Sequence, residues 1–138
     1  MSLIDTSAWV EYLRATGSET HLAVRRLLDA DIEVQTTDVV VMEVVAGARD
    51  DGHLEQLRRL MARCRYVPVE GLGDYETAAA LYLQCRRAGS TVRALTDCLI
   101  AAVALRADLA VVHSDRDFDL LARHTGLKIQ SDNQGQRR

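Results

Sequence analysis

Apolar residues along this chain follow two rhythms. Short runs rich in Leu, Ile and Val, bounded by polar or turn-forming residues, fall at roughly residues 2 to 5, 32 to 36, 65 to 69, 109 to 113 and 127 to 130 and predict five strands. Between them the apolar positions recur at spacings of three and four, the period of an amphipathic helix. Cap residues mark most of the helix ends: Ser7 is placed to cap AWVEYLRA, Ser18 to cap ETHLAVRRLLDA, and Thr37 or Asp38 to open VVVMEVVAGA, with Gly47 as its stop. Asp50 or Asp51 can cap HLEQLRRLMARC. Past the single proline, Pro68, Asp74 can cap a long segment that Gly89 ends, TDCLIAAVALRA is apolar enough to be deeply buried, and DRDFDLLARHTG closes the series. The run VVVMEVV would suit a strand on propensity, but its length and its Thr-Asp entry favour a helix.

Strands alternating with helices predict an α/β fold with a mainly parallel sheet of about five strands and helices on both faces. Such sheets bind ligands beyond the carboxyl ends of their strands, where the strand order reverses. No period of 20 to 50 residues recurs, so the chain is expected to form one domain over residues 1 to 130, followed by a polar tail, SDNQGQRR, expected to be disordered.

Composition narrows the classes. At 138 residues, 48% hydrophobic and 27% charged, the chain can bury a core without staples, and its apolar runs are too short to span a bilayer. Asp5 and Glu11 interrupt any secretory signal. Cys64, Cys85 and Cys98 are odd in number and lack CxxC spacing, which points to free thiols in a reducing, cytoplasmic setting. A net charge of −3 neither indicates nor excludes a nucleic-acid partner, because a local basic patch can act against an acidic average. Lys128 is the only lysine, which removes most lysine-based chemistry.

The acids change the picture most. Asp5 follows the first predicted strand and Asp115 follows ADLAVVHS, so two carboxylates stand at two carboxyl ends of a parallel sheet. Glu43 and Asp97 lie inside apolar helical runs. Each also has a structural reading: Asp5, Asp115 and Asp97 could be helix caps, whereas Glu43 is too deep in its helix to cap it and would be costly to bury unpaired. Four bare anions at one cleft would repel one another unless a cation filled the space, and Mg²⁺ or Mn²⁺ suits carboxylate ligands. His21, His53, His113 and His124 are scattered without zinc-ligand spacing.

LIDTSAWVEYL, the isolated Glu43, TDCLIAAVAL and VVHSDRDFDLLA, in that order, resemble the four acidic motifs of PIN-domain ribonucleases, in particular the VapC toxins of bacterial VapBC toxin-antitoxin pairs. The resemblance runs from Leu3 to about Ile129 and implies a three-layer α/β/α sandwich, with Asp5, Glu43, Asp97 and Asp115 as catalytic and Mg²⁺- or Mn²⁺-binding residues. Asp117 matches an additional acid used by some members, and Thr6, Ser7 and Ser114 match small polar positions that orient the site. Cys98 stands where alanine is frequent and Ser114 where threonine or asparagine is common, but no acid is missing.

The resemblance further implies hydrolysis of RNA, structured RNA such as tRNA included, to 5′-phosphate and 3′-hydroxyl ends. Its partners would be a VapB-like antitoxin filling the cleft and a second copy of the chain. Arg86, Arg87, Arg93 and Arg116 are the expected phosphate contacts, each with a solvated helix face as its plainer reading. Trp9 and Tyr12 are expected to pack in the core or a dimer contact. A phosphoaspartate phosphatase would need an acid where Ser7 stands, and a lysine that Lys128 is poorly placed to supply. The non-enzymatic alternative is a metal- or RNA-binding module of PIN-like fold.

Overall fold

The computed structural model describes residues 1–130; the expected polar tail, residues 131–138, lies outside the described residues. Its elements run β1 (Ser2–Ile4), α1 (Thr6–Leu13), α2 (Glu19–Asp29), β2 (Val34–Thr36), α3 (Asp38–Ala46), α4 (Asp51–Ala62), β3 (Arg65–Tyr66), α5 (Gly71–Arg87), α6 (Leu95–Arg106), β4 (Ala110–Val112) and α7 (Arg116–His124). The sheet has the order β3-β2-β1-β4, and every pairing is parallel. Leu3 stands opposite Gln35 on one side and Val111 on the other.

That order places the reversal between β1 and β4. The chain steps outward from β1 to β2 to β3, then crosses back to lay β4 on the opposite flank of β1. Right-handed crossovers in opposite directions put α1 to α4 on one face and α5 to α7 on the other. Packing follows this split, because α1 touches α2 and α3 while α5, α6 and α7 touch one another. The expected three layers are therefore present.

Each element has a local cause. VVVMEVV is helical, as its entry signal suggests, because Val39, Val40 and Val44 fall on one face that the core buries. The sheet's short strands are anchored by Leu3, Ile4, Val34, Val111 and Val112, all buried. Trp9 and Phe118 are fully enclosed, and α6 is buried from Asp97 through Ala104, its alanines allowing close approach to neighbouring layers. Burial of Trp9 fits the packing role expected for it, and it meets Tyr12 edge-on at 6.0 Å between ring centres.

Several expectations need correction. The fifth strand is reduced to a bridge in which Ile129 pairs with Val111, and β3 spans two residues because β2 ends at Thr36, whose carbonyl accepts the Val67 N–H as the last bond of the ladder. Ser7 does not cap α1; the cap is Asp5, whose carboxylate accepts the Ser7 N–H. Asp74 lies a turn inside α5, where it accepts the Glu70 N–H and pairs with Arg106. The α5 stop is as read: Gly89, at φ +88, occupies the left-handed region that favours glycine. The three cysteines are buried free thiols, and burial pushes Cys64 up to about 11 and Cys98 up to about 12.

Candidate active site

The reversal point collects the acids. Asp5 leaves β1 and Asp115 leaves β4, and these strands are hydrogen-bonded neighbours; the Asp5 N–H itself donates to Val112 O at 2.9 Å. Asp97 enters from the first turn of α6, two residues past Leu95, with Ala94 rather than Asp97 in the cap position. Asp117 comes from the first turn of α7, which Asp115 caps by accepting the Asp117 N–H at 2.9 Å. Cap and site are therefore not alternatives for Asp5 and Asp115, because one carboxylate oxygen serves the helix and the other is left over.

Asp97, Asp115 and Asp117 bring carboxylate oxygens within 4.8 Å of one another. Asp5 lies close enough to Asp97 to raise its pKa, and Glu43 does the same to Asp5. All five sequence-identified acids thus stand in one electrostatic cluster, with Asp97, Asp115 and Asp117 as its tight centre. Asp117, the acid least supported by sequence, is the most buried of the five at 1% exposure. Its signal was present, since in SDRDFD the second acid follows the capping acid by two and directly precedes the buried Phe118.

A small hydrogen-bond chain fixes Asp5. The Ser114 N–H donates to Ser7 Oγ at 2.9 Å, and the Ser7 hydroxyl donates to Asp5 Oδ2 at 2.6 Å beside the Ser7 N–H at 2.9 Å. This ties the loop after β4 to the start of α1. Thr6 Oγ1 donates to Glu43 Oε1 at 2.8 Å, holding α3 to α1 across the cleft. Thr6, Ser7 and Ser114 therefore all touch the acids or their supports, Ser114 through its backbone. His113 accepts the Asp115 N–H on Nδ1 and places Nε2 3.3 Å from Asp119, so it shapes this loop from behind.

Electrostatics separate the acids. Burial raises Asp5, partly offset by the Ser7 hydrogen bonds and reinforced by Glu43. Asp97 is pushed up to about 8 by burial, by its hydrogen bond with Asp117 and by the charges of Asp5, Asp115 and Asp117. Burial acts on Asp117 the same way but is outweighed: the N–H groups of Arg93 and Ala94 and the hydrogen bond from Asp97 hold it below the usual carboxylate range. The two carboxyl groups are thus pushed apart, Asp97 upward and Asp117 downward, as expected of crowded acids.

The arginines divide. Arg93, whose side chain is 65% exposed, lies 3.5 Å from Asp115 and 3.6 Å from Asp117, balancing the cluster from its solvent side. Arg87, six residues before it, and Arg116, next to Asp115 in the chain, are exposed, and Arg86 lies over the Tyr82 ring at 5.9 Å. Arg14 and Arg49, which sequence reasoning passed over, line a groove of about 320 Å³ that opens on Glu43 between α1, α3 and α4.

The donor set fits a hard divalent cation. Every group at the centre is a carboxylate, and Asp5 Oδ1 and Asp97 Oδ2 are buried oxygens with no hydrogen-bond partner. Buried anionic oxygens without partners are expensive, and a cation is the simplest group to satisfy them.

Comparison with known proteins agrees with this geometry. Residues 2–124 match the PIN domain family. Over 132 residues the chain is 46% identical to Ribonuclease VapC11 of Mycobacterium tuberculosis, covering 95% of this chain and 98% of that protein. The crystal structure of DNA bound VapBC from Salmonella typhimurium shares the fold with a TM-score of 0.72 at 20% identity, over 94% of this chain and 96% of that one. VapBC-5 of Mycobacterium tuberculosis, a member of the VapBC family of toxin-antitoxin systems, gives a TM-score of 0.62 at 26% identity, over 93% of this chain and 95% of that one.

Proposed function

The chain belongs to the PIN-domain family, and from that premise we propose that it is the toxin of a VapBC-type toxin-antitoxin pair, a Mg²⁺- or Mn²⁺-dependent endoribonuclease. One observation carries the reading. Asp97, Asp115 and Asp117 converge within 4.8 Å at the carboxyl edge where strand order reverses, beside the unpartnered oxygens of Asp5 and Asp97.

Asp5, Asp97, Asp115 and Asp117 would hold the ion, with Glu43 at the margin of the site held by Thr6. A bound divalent ion would supply a nucleophilic water at neutral pH and charge neutralisation at the phosphate. The chain's own residues do the rest. Ser7 keeps Asp5 in one rotamer, and the backbone N–H groups of Arg93 and Ala94 keep Asp117 ionised. Asp97, pushed up to about 8 by burial and its neighbours, would ligate the ion in its deprotonated form, so ion binding there would release a proton to solvent. Glu43, half-buried and outside the tight centre, is the carboxylate best placed to accept a proton from the attacking water. Arg93 at the rim offers a planar guanidinium to the phosphate, supported by exposed Arg87 and Arg116. Cleavage by water leaves 5′-phosphate and 3′-hydroxyl ends.

Structured RNA such as tRNA is the proposed substrate, since the tight centre is formed by the buried Asp97 and Asp117 and the half-buried Asp115, which an unstacked loop would reach more readily than a regular duplex. A VapB-like antitoxin is the proposed partner, supported by the groove at Glu43, where Val10, Leu13, Val44 and Leu57 offer an apolar floor and Arg14 and Arg49 a basic margin. A homodimer is supported by exposed Leu72 and Tyr75, three apart on α5. Among the described residues no helix is long and apolar enough to cross a membrane.

The test is sequencing of newly formed 5′-phosphate ends after brief expression of the wild type and of Asp97→Asn. New ends with the wild type alone support the reading. Their absence from both, with RNA binding and Mn²⁺ binding retained, would favour a non-catalytic PIN-like module instead.

A further inference from the structure

The unpartnered polar atoms of this protein are not scattered. Among the described residues, six buried side-chain nitrogen and oxygen atoms lack a hydrogen-bond partner, and five of the six belong to Asp5, Asp97, Thr37 and Gln35. The two carboxylates are accounted for by the ion site. Thr37 and Gln35 are not, and both are among the most buried polar residues, at 0% and 1% exposure. Native interiors satisfy such groups, so each calls for a reason.

Register brings them to the site. Leu3 pairs with Gln35 in the parallel β1–β2 ladder, and continuing that register two residues past the pair sets Asp5 beside Thr37. Both residues are extended, Asp5 at φ −71 and ψ 158 and Thr37 at φ −144 and ψ 169, so the alternation of the strands carries through them. Gln35, Thr37, Leu3 and Asp5 therefore share one face of the sheet. It is the face opposite to Thr36, whose hydroxyl turns to Met61 of α4. It is thus the face covered by α5 to α7, from which Asp97 enters.

Thr37 also declines an available role. It occupies the cap position of α3, where a threonine hydroxyl ordinarily accepts a backbone N–H, yet it makes no such bond. Its hydroxyl is buried and spared from capping, and the carboxylate that the strand register sets beside it, Asp5, has its Oδ1 likewise buried without a partner. Ser7 already holds the Oδ2 side.

We propose that Thr37 is a positioning residue of the ion site, its buried hydroxyl serving the Asp5 Oδ1 side of the pocket that would hold the cation, with Gln35 continuing the polar lining beneath it. This rests on the divalent-ion reading given above. Groups in this outer position typically change metal affinity ten- to a hundredfold when removed.

Titration calorimetry with Mn²⁺ on the purified full chain tests it, read beside thermal melts of the metal-free protein. For Thr37→Val, close in shape but without the hydroxyl, the expected result is a loss of Mn²⁺ affinity of about tenfold or more, with metal-free stability equal to or above that of the wild type and with Thr37→Ser close to wild type. Thr37→Val binding Mn²⁺ within twofold of the wild type overturns the proposal and leaves the ion site standing. A wild type that binds no Mn²⁺ overturns both, and is told apart by that control alone. If Thr37→Val does not fold, Thr37→Ser against Thr37→Ala isolates the same hydroxyl, and equal affinities overturn the proposal.

Discussion

At the scale of single residues, Asp5 shows how one side chain serves structure and site together. Its Oδ2 caps α1 through Ser7 while its Oδ1 stays free at the cleft. Asp5→Asn keeps an acceptor for the cap, so it is expected to melt within a few degrees of the wild type while losing divalent-dependent RNA cleavage by about a hundredfold or more, measured by end-labelled RNA cleavage. Ser7→Ala removes only the alignment and is expected to weaken Mn²⁺ binding by about ten- to a hundredfold by calorimetry. Asp97 carries a pH signature. In the metal-free protein burial and its acidic neighbours push its pKa up to about 8, above the ordinary carboxyl value of 3.8, so between those values the folded state binds more protons than the unfolded one. Stability is therefore expected to fall as pH rises from about 4 to about 8, with Asp5 acting in the same direction. Urea melts across that range should show a shallower slope for Asp97→Asn, and an unchanged slope would refute the assignment.

At the scale of elements, the connection between α5 and α6 depends on one acid. Asp117 accepts the N–H groups of both Arg93 and Ala94, and its side chain is 2% exposed against 31% for Asp115. Asp117→Ala would remove a charged acceptor from those part-buried donors, so it is expected to cost about 1–3 kcal/mol in a urea melt, more than Asp115→Ala, although both remove a site acid. Legibility varied element by element for the same kind of reason. Ser18 and Asp50 were readable as caps because a local hydroxyl or carboxylate meets an N–H three residues on. β3 and the bridge at Ile129 were overextended, because strand length depends on a partner in space. The weight of Asp117 was missed because its partners lie 23 and 24 residues earlier in the chain.

At the scale of the whole molecule, the cluster joins β1, α6, the end of β4 and α7, so occupying it couples the sheet to the helical layer of α5 to α7. A ligand that binds only the folded state stabilises it by mass action, about 2.7 kcal/mol at a hundred times its dissociation constant. Mn²⁺ is accordingly expected to raise the melting temperature of the wild type in a concentration-dependent way and to leave that of Asp97→Asn nearly unchanged, measured by scanning calorimetry.

The sequence by itself determined the alternation of strands and helices, hence a parallel sheet, together with the identity of all five acids. Periodicity, caps and residue chemistry are local properties that survive without a fold. The tertiary structure alone decided that β4 lies beside β1, that Asp97 and Asp117 are pushed in opposite directions, and that Thr37 is buried without a partner. These depend on strand order, register and burial, and each sets distances and dielectric between residues far apart in the chain.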